Sequence, residues 1–377
     1  MCLRSISTSL LVAAHSSIGT YGVVTSAIVK AYPPVYVAET PIRFSVGTQR
    51  PTNFTFSVPF NVSRTAGSTV SPPTPTAPFP QGNQTRPTNR PAEVGVVVNS
   101  TEIFWRGVDA YFAFGAKLCD AGGTGYNYVQ GSNGSFSFRT TLELPGMTKA
   151  EAFAFLKPLF DDLHAAGVAV NHTMPVTSLS WGSTRKGEGD SPGNGRFGTR
   201  LFPRAGWEDP ATFGAAMQAI RAVVEAGYSF HGVQVAPADK TQGFPGGSAV
   251  NPAFRAALMH ADLFDRAPMR GASAAAARES RARFTRYMDL LREATPGSGA
   301  YVNEADGMEP DWQRSFWGDK YPRLLEIKKA RDPWGVFWAP TTVGSEGWEV
   351  RDDREDGLPT QNGPLCHVES KRIGQRI

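Results

Sequence analysis

The residues best suited to chemistry lie close together near the C-terminus of this 377-residue chain. Tyr301, Asn303 and Glu304 place a phenol, an amide and a carboxylate within four positions, so one short segment offers hydrogen-bond donors, acceptors and a proton acceptor. A dense aromatic group follows: Trp312, Phe316, Trp317, Tyr321, Trp334, Phe337 and Trp338. This mixture is typical either of an apolar pocket for a flat ligand or of the core beneath a last helix.

The remaining motifs are weaker indicators of chemistry. Residues 193–198 match G-x-G-x-x-G, but a polar loop precedes them and no helix follows, so we interpret them as a surface loop. The six histidines lack metal-ligand spacing, which predicts no metal site, and we interpret His172 and His231 as core or rim residues beside strands. Neither a G-x-S-x-G elbow nor a P-loop occurs, which weakens a hydrolase or nucleotide-hydrolysing function.

Composition narrows the class of protein further. Hydrophobic residues make up 41%, which is ample for a core, and no run of 18 or more apolar residues occurs, so no membrane span is expected. The net charge of +4 is dispersed rather than gathered into a basic stripe, which predicts no nucleic-acid partner. A small molecule is the expected partner, and nothing in the composition indicates the oligomeric state.

The elements that must position these residues mix helices with strands. Alternating residues predict strands within 41–62, 136–144 and 230–235, and a Thr148–Glu151 capping box predicts a helix to about residue 166, kinked or split at Pro158. Further helices are predicted over residues 102–113, 210–226, 252–260, 270–294 and 319–329. Because the order lacks a βαβ rhythm, we predict an α+β fold with an antiparallel sheet flanked by helices. Residues 71–91 read as a disordered Pro/Thr-rich insertion and residues 182–200 as a polar loop.

The C-terminal segment resembles the signature of berberine-bridge-like flavin oxidases of the vanillyl-alcohol-oxidase fold. The resemblance rests on Tyr301-x-Asn303, on the run from Phe316-Trp317-Gly318 to Ile327-Lys328, and on Asp332-Pro333-x-x-x-Phe337. Residues 343–350 and 250–255 resemble the fungal branch that includes isoamyl alcohol oxidases. Residues 19–27 resemble the last strand region of the family's FAD-binding domain of the PCMH type.

This resemblance implies FAD as cofactor and a role for each matching residue. Asn303 would contact the flavin ring or ribityl chain, with Tyr301 beside it. Many relatives carry a tyrosine base after this asparagine, whereas this chain has Glu304, which leaves the identity of the base open. A carboxylate in a dry pocket could take an alcohol proton while a hydride passes to the flavin and oxygen serves as final acceptor. The implied backbone contacts to the cofactor are Gly19, Tyr21, Gly22 and Val23.

The resemblance also implies how the chain is divided. Residues 1–18 form an atypical start or weak signal peptide, and residues 19–40 match only the end of the family's FAD-binding domain, so we expect a chain truncated at its N-terminus. Residues 41–300 are the expected substrate domain, residues 301–350 the berberine-like segment and residues 351–377 a tail. The alternative function is a cofactor-free remnant that acts as a secreted binding glycoprotein.

Glycosylation signals indicate the compartment. Six Asn-x-Ser/Thr sites occur, which predicts a secreted glycoprotein: Asn53, Asn61, Asn83, Asn99, Asn133 and Asn171. A Ser/Thr-rich loop region that meets the pattern by accident would give the same count. Cys119 and Cys366 are either a disulfide pair or free thiols.

Overall fold

A computed structural model of the chain describes residues 21–22, 35–47, 95–178, 196–236, 248–265, 272–351 and 363–368. Its strands are β1 Val37–Val46, β2 Val96–Val97, β3 Thr124–Ser132, β4 Ser135–Pro145, β5 Val176–Ser178, β6 Arg196–Pro203, β7 Ser229–Gln234, β8 Ala257–Asp265, β9 Trp348–Val350 and β10 Leu365–His367. Its α-helices are α1 Thr101–Ala113, α2 Gly115–Asp120, α3 Lys149–Ala165, α4 Arg204–Glu208, α5 Pro210–Glu225, α6 Ala253–Ala256, α7 Ala274–Glu293, α8 Trp312–Trp317 and α9 Tyr321–Arg331. None of the described helices is long and apolar enough to cross a bilayer.

One sheet organises the described residues. Its strands follow the order β2-β1-β4-β3-β7-β8-β6, and β5 pairs with β1 outside this path. All pairs are antiparallel except β1 with β2, which confirms the predicted α+β class with an antiparallel sheet. Since side chains alternate between the two faces of a strand, each cross-strand row of residues belongs to one face of the sheet.

The helices cover one face of this sheet. The row Phe44, Phe138, Val129, Phe230 and Leu263 is fully buried there and belongs to the main core together with residues of α1, α3, α5 and α7. Ser100 caps the start of α1, and the Thr148–Glu151 capping box begins α3 as predicted. The helix α3 continues unbroken through Pro158, so the expected split there is wrong.

Two segments differ from the sequence-based expectation. Residues 252–260 were expected to be helical, but only α6 is a helix, and β8 begins at Ala257 between β6 and β7. Residues 256–259 form a continuous apolar run, and such a run cannot be told from a buried helix by its periodicity. Residues 196–200 belong to β6 rather than to the predicted 182–200 loop, and residues 182–195 lie outside the described ranges.

A second, smaller core holds the C-terminal segment together. Its buried members are Tyr21, Ala249, Ala300, Phe316, Trp317, Leu324, Ile327 and Val343. Phe316 and Trp317 therefore belong to a core beneath the last helix, which was one of the two interpretations of the aromatic group, whereas Trp334 is 80% exposed. The aromatic group of the C-terminus does not form a single pocket.

Two further expectations concern the cysteines and the Pro/Thr-rich insertion. Cys119 and Cys366 are both free thiols in the structure. The predicted insertion at residues 71–91 lies outside the described residues.

Candidate functional site

The face of the sheet opposite the helices carries one polar row that crosses six strands, which we call the polar row. Its members, paired in register from β1 to β6, are Arg43, Arg139, Tyr128, His231, Asp262 and Thr199. His231 stacks on Tyr128 with ring centroids 4.2 Å apart, and its Nδ1 lies 3.1 Å from Asp262 Oδ2. The row therefore places aromatic, acidic and basic groups side by side.

A second histidine joins this row to the candidate base. His260 lies two residues before Asp262 on β8, so both side chains project from the same face. Its Nε2 is 3.2 Å from Asp262 Oδ1 and 3.6 Å from Glu304 Oε2. Burial, and second the nearby His231, lower the pKa of His260 to about 4. The imidazole is therefore neutral at neutral pH.

These three side chains form a compact group of possible ligand atoms. One atom each from His260, Asp262 and Glu304 lie within 4.8 Å of one another. Asp262 is buried and Glu304 is 37% exposed at its side chain, so the group opens on the Glu304 side. The geometry suits proton transfer along neighbouring polar atoms.

The structure brings Tyr301, Asn303 and Glu304 to the β6–β8 end of the polar row. Thr199 Oγ1 accepts a hydrogen bond of 2.9 Å from the Tyr301 backbone N–H, which fixes the segment to β6. The Tyr301 ring meets His260 edge-on with centroids 5.3 Å apart, and its hydroxyl accepts a hydrogen bond of 2.5 Å from Asn303 Nδ2. The Asn303 side chain is exposed beside Glu304 on a short 3-10 helix, Val302–Glu304.

Buried Asn251 connects residues 250–255 to the C-terminal segment. Asn251 Nδ2 donates to the Ser315 carbonyl at 2.8 Å, and its Oδ1 accepts from the Ala253 backbone N–H at 3.0 Å. Residues 250–255 and the C-terminal segment, which both carry the sequence resemblance, therefore contact each other directly.

The predicted N-terminal cofactor contacts are only partly described. Tyr21 is buried in the second core, its hydroxyl donates to the Leu324 carbonyl at 3.3 Å, and burial raises its pKa. Gly22 is half-buried, and a Cβ at this position would meet no atom within 4 Å. Gly19 and Val23 lie outside the described residues. The described contacts of Tyr21 are therefore with α9 and not with Asn303 or Glu304.

The Asp332-Pro333-x-x-x-Phe337 motif has a structural role. Asp332 accepts hydrogen bonds from the Val336 and Phe337 backbone N–H groups at 2.9 Å, and Lys328 Nζ lies 2.6 Å from its Oδ2. Burial opposes ionisation of Asp332, but Lys328 and the two N–H groups outweigh it and hold the pKa of this carboxyl below its usual value. The motif fastens the end of α9 to the chain that follows.

Sequence reasoning missed most of the polar row. Tyr128, Arg139 and Asp262 were not singled out, and His231 was interpreted only as a core or rim residue. Their spacing has meaning only after the strand register is known, because each residue comes from a different strand. The alternation His260-x-Asp262 was the one local signal that could have placed two polar side chains on one face.

Known proteins match both the segment and the fold. Residues 300–344 match the family model described as Berberine and berberine like. The chain is 30% identical over 285 residues to the bifunctional decalin synthase of Penicillium decumbens, covering 72% of this chain and 46% of that protein. It is also 30% identical over 261 residues to the VAO-type flavoprotein oxidase VAO615 of Thermothelomyces thermophilus, covering 66% and 43%. The chain spans a little under half the length of these relatives.

Two solved structures share the fold. The VAO-type flavoprotein MtVAO615 from Myceliophthora thermophila C1 superposes with a TM-score of 0.56 at 25% identity, covering 74% of this chain and 48% of that one. MtVAO713 from the same organism superposes with a TM-score of 0.50 at 21% identity, covering 71% and 48%, which supports the fold alone.

The fold is thus that of the vanillyl-alcohol-oxidase type of flavoprotein. Within that class, the chain belongs to the berberine-bridge-like family of FAD-linked oxidoreductases. The placement in the isoamyl-alcohol-oxidase branch and the domain boundaries stay predictions.

Proposed function

We propose that this chain forms the substrate face and the C-terminal segment of an FAD-dependent oxidase that acts on an alcohol or a related C–H donor, with oxygen as the electron acceptor. The proposal rests on one observation. Tyr301, Asn303 and Glu304 lie close to His260 and Asp262 at one end of the polar row. Family membership supports the choice of FAD, because the relative VAO615 and the solved structure of MtVAO615 are VAO-type flavoproteins.

The residues present suit a flavin ring. A flavin ring is flat and presents carbonyl oxygens and ring nitrogens along its edge, so it needs neighbours that both donate and accept hydrogen bonds. Asn303 offers an exposed amide, and the Tyr301 hydroxyl lies directly beside it. Asn303 and Tyr301 would hold the ring there, and bound FAD would supply the acceptor for a hydride.

Side chains of this protein would accept and hold the proton that the substrate loses. Glu304 Oε2 would accept the hydroxyl proton of the substrate, since its carboxylate is partly exposed on the polar face. The neutral His260 imidazole, held between Asp262 and Glu304, would orient the Glu304 carboxylate and offer the proton a path toward Asp262. The close packing of Tyr301 against His260 would limit access of water to this pair.

Uptake of FAD by the purified full chain tests the proposal. We expect saturable quenching of flavin fluorescence and a yellow protein after removal of free FAD. Asn303→Ala should weaken uptake by roughly fivefold, the equivalent of one hydrogen bond of about 1 kcal/mol. Asn171→Ala, at an exposed position, is the matched control and should leave uptake unchanged. A folded, colourless chain that takes up no added FAD would contradict the proposal and favour a cofactor-free binding protein.

We also propose that the protein is a secreted glycoprotein. Three of its Asn-x-Ser/Thr sites lie in described residues, and Asn99, Asn133 and Asn171 are all exposed, as glycan attachment requires. Asn133 sits in the β3–β4 turn with φ of +50°. When the chain is expressed through a eukaryotic secretory pathway, we expect an endoglycosidase-sensitive mass that Asn133→Gln reduces by one glycan. A chain whose mass equals that of its sequence would contradict this.

A further inference from the structure

One histidine and two carboxylates lie together at the β6–β8 end of the polar row. His260 Nε2 is 3.2 Å from Asp262 Oδ1 and 3.6 Å from Glu304 Oε2. In a tetrahedral zinc site with bonds of about 2.0–2.2 Å, neighbouring ligand atoms are about 3.3–3.6 Å apart. The two separations are therefore close to those between atoms that bind one metal ion.

The surroundings of His260 support a role as a metal ligand. Its side chain is 13% exposed, and its Nε2 forms no hydrogen bond among the residues that the structure describes, although two carboxylate oxygens lie near it. A buried ring nitrogen without a hydrogen bond costs stability. Because the imidazole is neutral at neutral pH, Nε2 can offer a lone pair, and coordination of a cation would satisfy it.

The two acids can bind a cation and keep their other contacts. A carboxylate has two oxygens with two lone pairs each, and the site uses one oxygen of each acid. Asp262 Oδ2 lies 3.1 Å from His231 Nδ1 on the neighbouring strand, and a contact of this kind typically orients a metal-binding carboxylate. The hydrogen bond from the Tyr301 backbone to Thr199 holds the segment that carries Glu304 against β6. The ligands are thus supported by the sheet.

Glu304 provides the open side of this group. One ligand atom from each of the three residues lies within 4.8 Å of the others, so closure around one ion needs a shift of about 1 Å. The Glu304 side chain is 37% exposed and can make this shift, and an ion can enter from its side. The spacing of the histidines predicted no metal site, because a site with a single histidine has no such spacing.

We propose that His260, Asp262 and Glu304 bind one divalent transition-metal ion, with Zn²⁺ as the best fit, and that the bound ion inhibits oxidation. One imidazole with two carboxylates favours Zn²⁺ over Mg²⁺, which requires a near-octahedral shell of oxygen atoms. The inhibition rests on the proposed function, because a Glu304 carboxylate that coordinates a cation cannot accept the substrate proton. Binding of the ion does not depend on that function.

Calorimetric titration of the full chain with Zn²⁺, in the absence of FAD, tests the site. We expect saturable binding of one ion per chain and no binding of Mg²⁺ at the same concentrations. Glu304→Gln should lower the Zn²⁺ affinity by at least about tenfold, because even the loss of a group behind a metal ligand costs about 10–100-fold. His260→Gln and Asp262→Asn should have the same effect. If a variant of these two less exposed residues fails to fold, the partly exposed Glu304 decides the result.

Two matched control variants remove the same chemical groups from exposed positions. His367→Gln and Glu326→Gln should leave the Zn²⁺ affinity unchanged. Co²⁺ serves as a spectroscopic probe, and we expect the strong visible absorption of a four-coordinate Co²⁺ ion in the unaltered chain and its loss in Glu304→Gln. The inference would be overturned by absent Zn²⁺ binding, by equal losses in control and site variants, by Mg²⁺ binding as tight as that of Zn²⁺, or by the weak absorption of six-coordinate Co²⁺.

Reduction of the flavin by primary and benzylic alcohols measures inhibition in the FAD-loaded protein. We expect saturating Zn²⁺ to slow this reduction by about 10²–10⁴-fold, the contribution of the general base that it blocks, and a chelator to restore the rate. Reduction at the full rate with Zn²⁺ bound would overturn the inhibition. Absent Zn²⁺ binding with intact FAD uptake would refute only this inference, whereas absent FAD uptake with intact Zn²⁺ binding would refute only the proposed function.

Discussion

Replacement of Glu304 by Gln in the FAD-loaded protein is expected to slow substrate oxidation by about 10²–10⁴-fold, the usual contribution of a positioned general base. The carboxamide keeps the shape of the side chain but cannot accept the hydroxyl proton. The rate at which a panel of primary and benzylic alcohols bleaches the visible flavin band under anaerobic conditions measures this effect. An unchanged rate for the most active alcohol would show that Glu304 is not the base.

Two further variants separate a chemical role of Glu304 from a structural one. Glu326→Gln makes the same charge change at an exposed position of α9 and should leave the rate unchanged. Glu304→Asp keeps the carboxylate and should recover part of the activity.

The polar groups behind Glu304 explain why a glutamate can serve at this position. His260 Nε2 lies between the carboxylates of Glu304 and Asp262, and His231 holds the other oxygen of Asp262. The hydrogen bond from His231 fixes Asp262 across two neighbouring strands, so the polar groups behind Glu304 are anchored to the sheet. The sheet thus supplies the support that a base on a short 3-10 helix lacks by itself.

Local patterns were enough to predict the class of fold and several of its elements. The Thr148–Glu151 capping box marked the start of α3, and alternation marked β4 and β7. The strand β8 escaped prediction because it begins within a continuous apolar run, residues 256–259, where periodicity does not separate a helix from a strand. Its alternation begins only at His260, where His260 and Asp262 lie on one face and Ala261 and Leu263 on the other.

The site was predictable only where its residues are neighbours in sequence. Tyr301, Asn303 and Glu304 stand together in the chain, and the resemblance of the segment drew attention to them. Arg139 and Asp262 are more than a hundred residues apart in sequence and share a row only through the register of four strands. No sequence spacing encodes such a row, because a slip of one residue would send each side chain to the other face.

Glu309→Gln is expected to destabilise the protein by about 3–5 kcal/mol, the usual cost of removing one partner from a buried ion pair. Glu309 is 2% exposed at its side chain and accepts from two arginines, Arg200 Nη1 at 3.2 Å and Arg292 Nη2 at 2.6 Å. Arg200 lies on β6 and Arg292 on α7, so this one carboxylate joins the C-terminal segment to both. Loss of its charge leaves the buried Arg200 guanidinium without its carboxylate partner, whereas Arg292 keeps its ion pair with Asp289. Chemical denaturation of both proteins measures the difference in the free energy of unfolding.

The exposed pair Glu208–Arg204 supplies the control for this change. Glu208 is 57% exposed at its side chain and lies 3.2 Å from Arg204, so Glu208→Gln should change stability by only about 0–1 kcal/mol. Similar losses for the two variants would show that the buried network is no stronger than a surface pair. Because Glu309 anchors the segment that carries Glu304, partial loosening of that segment should also weaken FAD uptake before the whole chain unfolds. Loss of stability without loss of FAD uptake would place the cofactor contacts elsewhere in the protein.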